Sequence, residues 1–133
     1  MMIVIVGGGK VGYYLAKTLA PEKHRLVLLE ADAQQCAKIA GELNKLDIEL
    51  ICGDGTEITA LQDAGIEHAD ILIAVTGYDQ NNFVACQLAR SYFGVPRTVA
   101  RVNNPKNIEV FKRLGVDSVV SSTAHIANII SQE

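Results

Sequence analysis

The sequence predicts one α/β domain, a doubly wound parallel six-stranded sheet of the Rossmann type with strand order 3-2-1-4-5-6. Three observations predict it. Short apolar runs alternate six times with helical patterns along the 133 residues, the arrangement of a parallel sheet covered by helices on both faces. The first run, Met2 to Val6, enters Gly7-x-Gly9-x-x-Gly12 directly and a helical pattern follows at once, the context that gives a glycine turn its phosphate-binding meaning. The second run ends in an acid, Glu30, which follows Gly12 by 18 residues, where such sheets place a ribose-binding carboxylate.

Each element has its own justification. Strand one is Met2 to Val6 and its helix runs from about Val11 to Leu19, with Pro21 in the loop beyond. Strand two is Arg25 to Glu30. Asp32 reads as the N-cap of the next helix, with Gln35 placed as in a capping box, and that helix runs to about Leu46. Strand three is about Glu49 to Cys52, and Thr56 is placed to cap the short helix that follows. Strand four, Ile71 to Val75, is nearly all apolar, as a strand buried on both faces must be. Asp79 reads as the cap of a long helix to about Phe93. Strand five is about Thr98 to Val102. Pro105 suits a first helical turn, and that helix ends near Gly115. Strand six is Ser118 to Ser121, and a last helix starts at about Thr123. Ile126, Ile129 and Ile130 share one face of it, either packed on the sheet or presented to a second molecule.

Composition narrows the function. The chain is 49% hydrophobic and 20% charged, with a net charge of −3. That balance speaks against a general nucleic-acid binder, which carries a basic face. No apolar run approaches the ~20 residues of a membrane-spanning helix, so direct membrane insertion is not expected. Cys36, Cys52 and Cys86 form no CxxC pair. An odd count, with no signal-like segment, fits a reducing cytosol and three buried small apolar side chains.

In doubly wound sheets the ligand lies beyond the carboxyl ends of the strands, where the order reverses between strands one and four. Gly7 permits the tight turn there, Gly9 lets a pyrophosphate approach the backbone, and Gly12 lets the helix lie close to the strand. Gly8, Lys10 and Val11 complete the turn, Lys10 reaching either a phosphate or water. Unpaired N–H groups at the helix start attract phosphate. Glu30 can accept both ribose hydroxyls of an adenosine and would repel a 2′-phosphate, and no Arg or Lys occurs from Ala31 to Ala37. The expected ligand is therefore NAD-like or ATP-like rather than NADP. Strand three ends in Gly53-Asp54-Gly55-Thr56, where Asp54 can accept from the adenine amine, shape the turn, or do both. Val75, Thr76 and Gly77 beyond strand four are expected beside the phosphates. Arg101 ends strand five, free to hold a phosphate through a bidentate contact or to pair with an acidic loop residue.

These residues together resemble a known family, the N-terminal nucleotide-binding lobe of regulators of potassium conductance. The family is also called the potassium transport nucleotide-binding domains and includes the regulatory subunits of Trk- and Ktr-type uptake systems. The likeness rests on Gly7-Gly9-Gly12, Glu30, Gly53-Asp54-Gly55-Thr56, Ala69-Asp70 ahead of Leu72-Ile73-Ala74-Val75-Thr76, Asp79-x-x-Asn82 followed by Ala85-Cys86, and Ala100-Arg101-Val102. It spans the whole chain. The resemblance implies a cytosolic gating module at the inner face of the cell membrane, not a catalyst. It implies NAD(H) or ATP/ADP in the cleft, held by the Gly7–Gly12 turn, Glu30, Asp54, Thr56, Thr76 and Arg101. It also implies a homodimer or ring beneath a membrane-embedded potassium transport subunit. Family members continue into a second, smaller lobe, so residues 1–133 are expected to be the N-terminal lobe alone.

The alternative is a fragment of a small NAD-dependent oxidoreductase. Such enzymes need a substrate domain and a general acid or base near the nicotinamide. His24 and His68 precede strands two and four, at the edge away from the ligand, and His125 opens the final helix without an evident partner. No Ser/His/Asp set, HExxH or clustered metal ligands occur.

Overall fold

The structure, a computed structural model, describes residues 1–132. Its elements are β1 (Met2–Val6), α1 (Lys10–Leu19), β2 (Arg25–Glu30), α2 (Ala33–Lys45), β3 (Glu49–Cys52), α3 (Ile58–Asp63), β4 (Ile71–Ala74), α4 (Asp79–Gln87), β5 (Arg97–Arg101), α5 (Ile108–Arg113), β6 (Ser118–Val120) and α6 (Ser122–Ser131). The strands form one sheet in the order β3-β2-β1-β4-β5-β6, parallel at every pairing. This is the order read from the sequence.

All five residues of β1 are buried, because the central strand is covered on both faces. One face carries Val4, Val6, Val27, Leu29 and Leu72 against α3, α4 and α5, through Leu61, Ala85 and Phe111. The other carries Ile3, Ile5, Leu26 and Leu28 against α1 and α2, through Ala16, Ile39 and Leu43. Phe83, Leu88 and Phe93 pack against the first of these layers.

Several local expectations fail, each for a physical reason. The long helix does not run unbroken to Phe93: α4 stops at Gln87 and a wider π turn carries Leu88–Tyr92. Asp79 is not its cap. Tyr78 occupies that position, and the Asp79 carboxylate instead accepts from the N–H groups of Asn103 (2.7 Å) and Asn104 (2.9 Å) and from Asn107 Nδ2 (2.9 Å). Burial works to raise the Asp79 carboxyl, but these donors outweigh it and hold it below its ordinary value. Glu57, not Thr56, precedes α3. Asp32 does cap α2, accepting from Gln34 N–H at 3.0 Å, but Gln35 closes no capping box; its Nε2 donates to the Gly8 carbonyl at 2.7 Å. Cys52 is exposed rather than buried. Ile126, Ile129 and Ile130 are each more than half exposed, so α6 does not bury this face on the sheet.

The far end of β5 is held by Asp117. Its carboxylate accepts from Thr98 N–H at 2.8 Å and from Arg90 Nη1 at 2.6 Å. Burial pushes this carboxyl up, yet the Thr98 and Arg90 donors pull it below the ordinary carboxylate value of 3.8. A carboxyl depressed in the folded state stabilises above the unfolded pKa and stops doing so as pH falls through the folded one. Urea unfolding should therefore show Asp117→Asn less stable by about 1 kcal/mol at neutral pH, a gap that narrows below roughly pH 4.

The α1 start lies hard against β1. A Cβ at Gly12 would stand 1.7 Å from the Gly7 carbonyl oxygen, backbone that cannot swing aside. Gly12→Ala should lower the urea-unfolding stability by about 3 kcal/mol; an unchanged midpoint would contradict this packing.

Candidate functional site

A cavity of about 610 Å³ opens at the carboxyl ends of β1–β5, across the point where the strand order reverses. It is built from five strand ends. Val6 and Gly7 lead from β1 into it. Gly7 has φ +112°, a left-handed geometry that glycine adopts without strain, and its N–H donates to the Leu29 carbonyl at 2.8 Å. The chain turns there, and Gly9, Lys10 and Val11 line the cavity at the start of α1. A Cβ at Gly9 would meet nothing within 4 Å, so this backbone is open to a bound group. No side chain caps α1, which leaves the N–H groups of its first turn for whatever occupies the space.

Glu30 stands at the tip of β2. Its Oε1 accepts from Gly8 N–H at 2.6 Å and its Oε2 from Asp32 N–H at 2.8 Å. The carboxylate is thereby fixed in orientation, and each oxygen keeps acceptor capacity toward the cavity. Gly8 itself lies behind this wall and does not line the space; a Cβ there would crowd Ile39 and Glu30. Gly12 likewise serves packing and does not line it.

Beyond β3, Gly53, Asp54, Gly55 and Thr56 all line the cavity. Asp54 Oδ1 accepts from Thr56 N–H (2.9 Å) and Thr56 Oγ1 (2.7 Å), so the turn-shaping role is present. Among the described residues its Oδ2 makes no hydrogen bond. Beyond β4, Val75 and Thr76 line the space. Gly77 does not; it belongs to a neighbouring open hollow of about 580 Å³ with Asn103 and Asn104, and its carbonyl accepts from Asn103 Nδ2 at 3.1 Å.

Fully buried Asn82 orders this side of the site. Its Oδ1 accepts from Thr76 N–H (2.9 Å) and Thr76 Oγ1 (2.6 Å), while its Nδ2 donates to the carbonyls of Thr76 (3.1 Å) and Arg101 (2.8 Å). One amide thus fixes the loop after β4 to the end of β5. Arg101 lines the cavity, half-buried. Among the described residues it forms no ion pair.

The sequence reading did not single out Ala31, Asp32, Tyr78 and Asn81, which also line the space. Asp32 both caps α2 and lines the cavity. Its place two residues beyond Glu30 was the available signal. Tyr78 ends the loop that holds Thr76 and Asn81 lies in the first turn of α4; only the packed structure shows that both line the space.

The electrostatics divide the cavity. Glu30, Asp32 and Asp54 surround the half over β2 and β3. Lys10, Arg101 and the start of α1 supply positive charge or donors on the half over β1, β4 and β5. Acceptors for hydroxyl or amino groups thus sit at one end and donors for an anion at the other.

Fold and site together define a Rossmann-type α/β domain with a charge-divided cavity at its strand ends. The model of the TrkA-N domain family matches residues 3–122, and the chain belongs to that family. It is 44% identical over 121 residues to the Trk system potassium uptake protein TrkA homolog of Methanothermobacter thermautotrophicus, covering 91% of this chain and 54% of that protein. It is 34% identical over 139 residues to the Trk system potassium uptake protein TrkA of Halomonas elongata, covering 98% of this chain and 30% of that one. The chain therefore spans about half the length of the first relative and less than a third of the second. Among solved structures, the GsuK channel bound to NAD superposes with a TM-score of 0.76 at 28% identity, over 98% of this chain and 22% of that one. GsuK bound to ADP gives 0.79 at 28% identity, over 98% and 32%. The TrkA-N domain of the Escherichia coli inner membrane protein ybaL gives 0.85 at 21% identity, over 98% and 94%, a likeness of fold.

Proposed function

We propose that this chain is the nucleotide-binding regulatory domain of a potassium transport system, which it gates by binding NAD(H) or ATP/ADP in the cavity at the strand ends. The observation that carries the reading is the charge division of that cavity. Acids crowd the end where an adenosine presents hydroxyls and an amine. The uncapped helix start, Lys10 and Arg101 crowd the end where phosphates follow. The relatives named for Trk potassium uptake and the GsuK structures bound to NAD and to ADP support the same ligand class. Glu30, Asp54 and Thr56 take the adenosine. The turn from Gly7 to Gly12, with Val75, Thr76 and Arg101, takes the phosphates.

The partner is a membrane-embedded potassium transport subunit, and the domain works at its cytoplasmic face as a homodimer or ring. No described helix is long and apolar enough to cross a membrane. The exposed Ile126, Ile129 and Ile130 face of α6 supports contact with a second molecule. The role is regulatory rather than catalytic. His24 lies at the opposite edge of the sheet, beside a hollow formed with Arg25 and Glu49, and neither His68 nor His125 lines the nucleotide cavity.

Gating follows from differential affinity: a ligand shifts two conformations only as far as it binds one better than the other. NAD and ATP share the adenosine half and differ beyond the second phosphate, near Arg101 and the loop after β4. One ligand class draws these segments together and the other leaves them apart, changing the angle between paired domains. Small-angle scattering with NADH and with ATP should give different interdomain distances; identical distances would overturn the gating scheme.

Calorimetry with NAD, NADH, ATP and ADP tests the ligand. Binding of at least one is expected, and Glu30→Arg should weaken it by about 1–3 kcal/mol through loss of a charge-assisted hydrogen bond. Absence of heat with all four sinks the proposal.

A further inference from the structure

The nucleotide reading leaves the cysteines unused, and they differ sharply. Cys86 is sealed in the core at 1% exposure, and burial pushes its thiol up to about 12. Cys36 and Cys52 instead both lie beside Glu30 at the end of β2. In the β2–β3 pairing Cys52 lies opposite Glu30. Gly53 N–H donates to the Glu30 carbonyl oxygen at 2.9 Å, and Cys36 Sγ donates to the same oxygen at 3.3 Å. Cys36 sits in the first turns of α2 and Cys52 is the last residue of β3. A Cβ at Gly53 would point at Ala60 of α3, so Cys52, the residue before it, faces the opposite side of the sheet with Leu50, the side that α2 and Cys36 cover; burial raises the Cys36 thiol to about 12. Cys36 is buried while Cys52 is open to solvent.

We propose that Cys36 and Cys52 form a reversible thiol–disulfide site, oxidised by hydrogen peroxide, that clips the start of α2 to the tip of β3 at the rim of the cavity. The exposed thiol is the entry point. The Cys52 thiolate attacks one peroxide oxygen, the O–O bond breaks, and the departing hydroxide takes up a proton to leave as water, with the sulfur oxidised to a sulfenic acid. The Cys36 sulfur then attacks the Cys52 sulfur. The S–S bond forms as the S–O bond breaks, and hydroxide leaves with the Cys36 proton as a second water. Two thiols are oxidised by two electrons and one hydrogen peroxide is reduced. The bridge spans two cavity walls, since Asp32 precedes Cys36 on one and Gly53-Asp54 follows Cys52 on the other.

The test uses the full chain and hydrogen peroxide, followed by digestion without reductant and mass spectrometry. The expected product is a Cys36–Cys52 cross-linked peptide, two hydrogens lighter than the reduced pair, with Cys86 still a thiol and the bridge lost on adding dithiothreitol. Amide exchange at the start of α2 and in the Gly53–Thr56 loop should slow on the order of tenfold in the bridged form. In Cys36→Ser, Cys52 should instead proceed to sulfinic acid, and Cys52→Ser, altered only at an exposed position, should leave Cys36 reduced. Three results would overturn the site: sulfinic acid at Cys52 beside a reduced Cys36 in the unaltered chain, bridges that include Cys86, or a bridge that leaves exchange in both segments unchanged. None of these readouts requires a nucleotide to bind.

Discussion

Everything at the strand ends depends on how closely α1 approaches β1. The contact is backbone against backbone, with the Gly7 carbonyl oxygen where a Cβ of residue 12 would be. Because nothing but hydrogen fits, the helix starts directly above the strand tip and its first N–H groups are aimed at the space between β1 and β4. A larger residue would tilt or lift the helix and take the donors with it. The reversal of strand order opens the crevice; this single contact puts a helix terminus into it.

The next layer of the site is made of side chains whose work is to hold backbone. Glu30 ties Gly8 to Asp32, so the turn after β1 and the start of α2 are one unit. Gln35 adds a second tie to the same turn. On the other half, Asn82 binds the loop after β4 to the end of β5, and Asp79 binds that loop to Asn103 and Asn104. The cavity is therefore lined by two internally fastened halves that meet along β1 and β4.

The sheet was legible in the sequence because burial on both faces writes itself as short apolar runs. Met2–Val6, Arg25–Glu30 and Glu49–Cys52 match to the residue, and the order is the one that six alternating strands take in a full doubly wound sheet. Helix starts were less legible because a cap is a choice between local and distant partners. Asp79 has the right type and place for a cap, yet its donors come from Asn103, 24 residues on. Gln35 was placed for a capping box, yet it reaches back 27 residues to Gly8. Of the site, the glycines and the acid at a strand end have fixed geometric roles that a sequence can express. Tyr78, Asn81 and the meeting of Cys36 with Cys52 depend on how loops and neighbouring strands lie in space. The exposure of Cys52 follows from its place at the tip of an edge strand, a place that the predicted strand order already implies but that composition alone does not.

The division into two fastened halves bears on how a ligand acts here. A molecule confined to the acid-lined end touches only residues fastened around Glu30 and the β3 turn, so it stabilises that half without regard to the other. A molecule that continues past the start of α1 reaches Thr76 and Arg101, whose positions are coupled through Asn82, and so touches both halves at once. On the proposed reading, length beyond the adenosine, rather than adenosine affinity, is thus the property by which two nucleotides would differ in what they touch here.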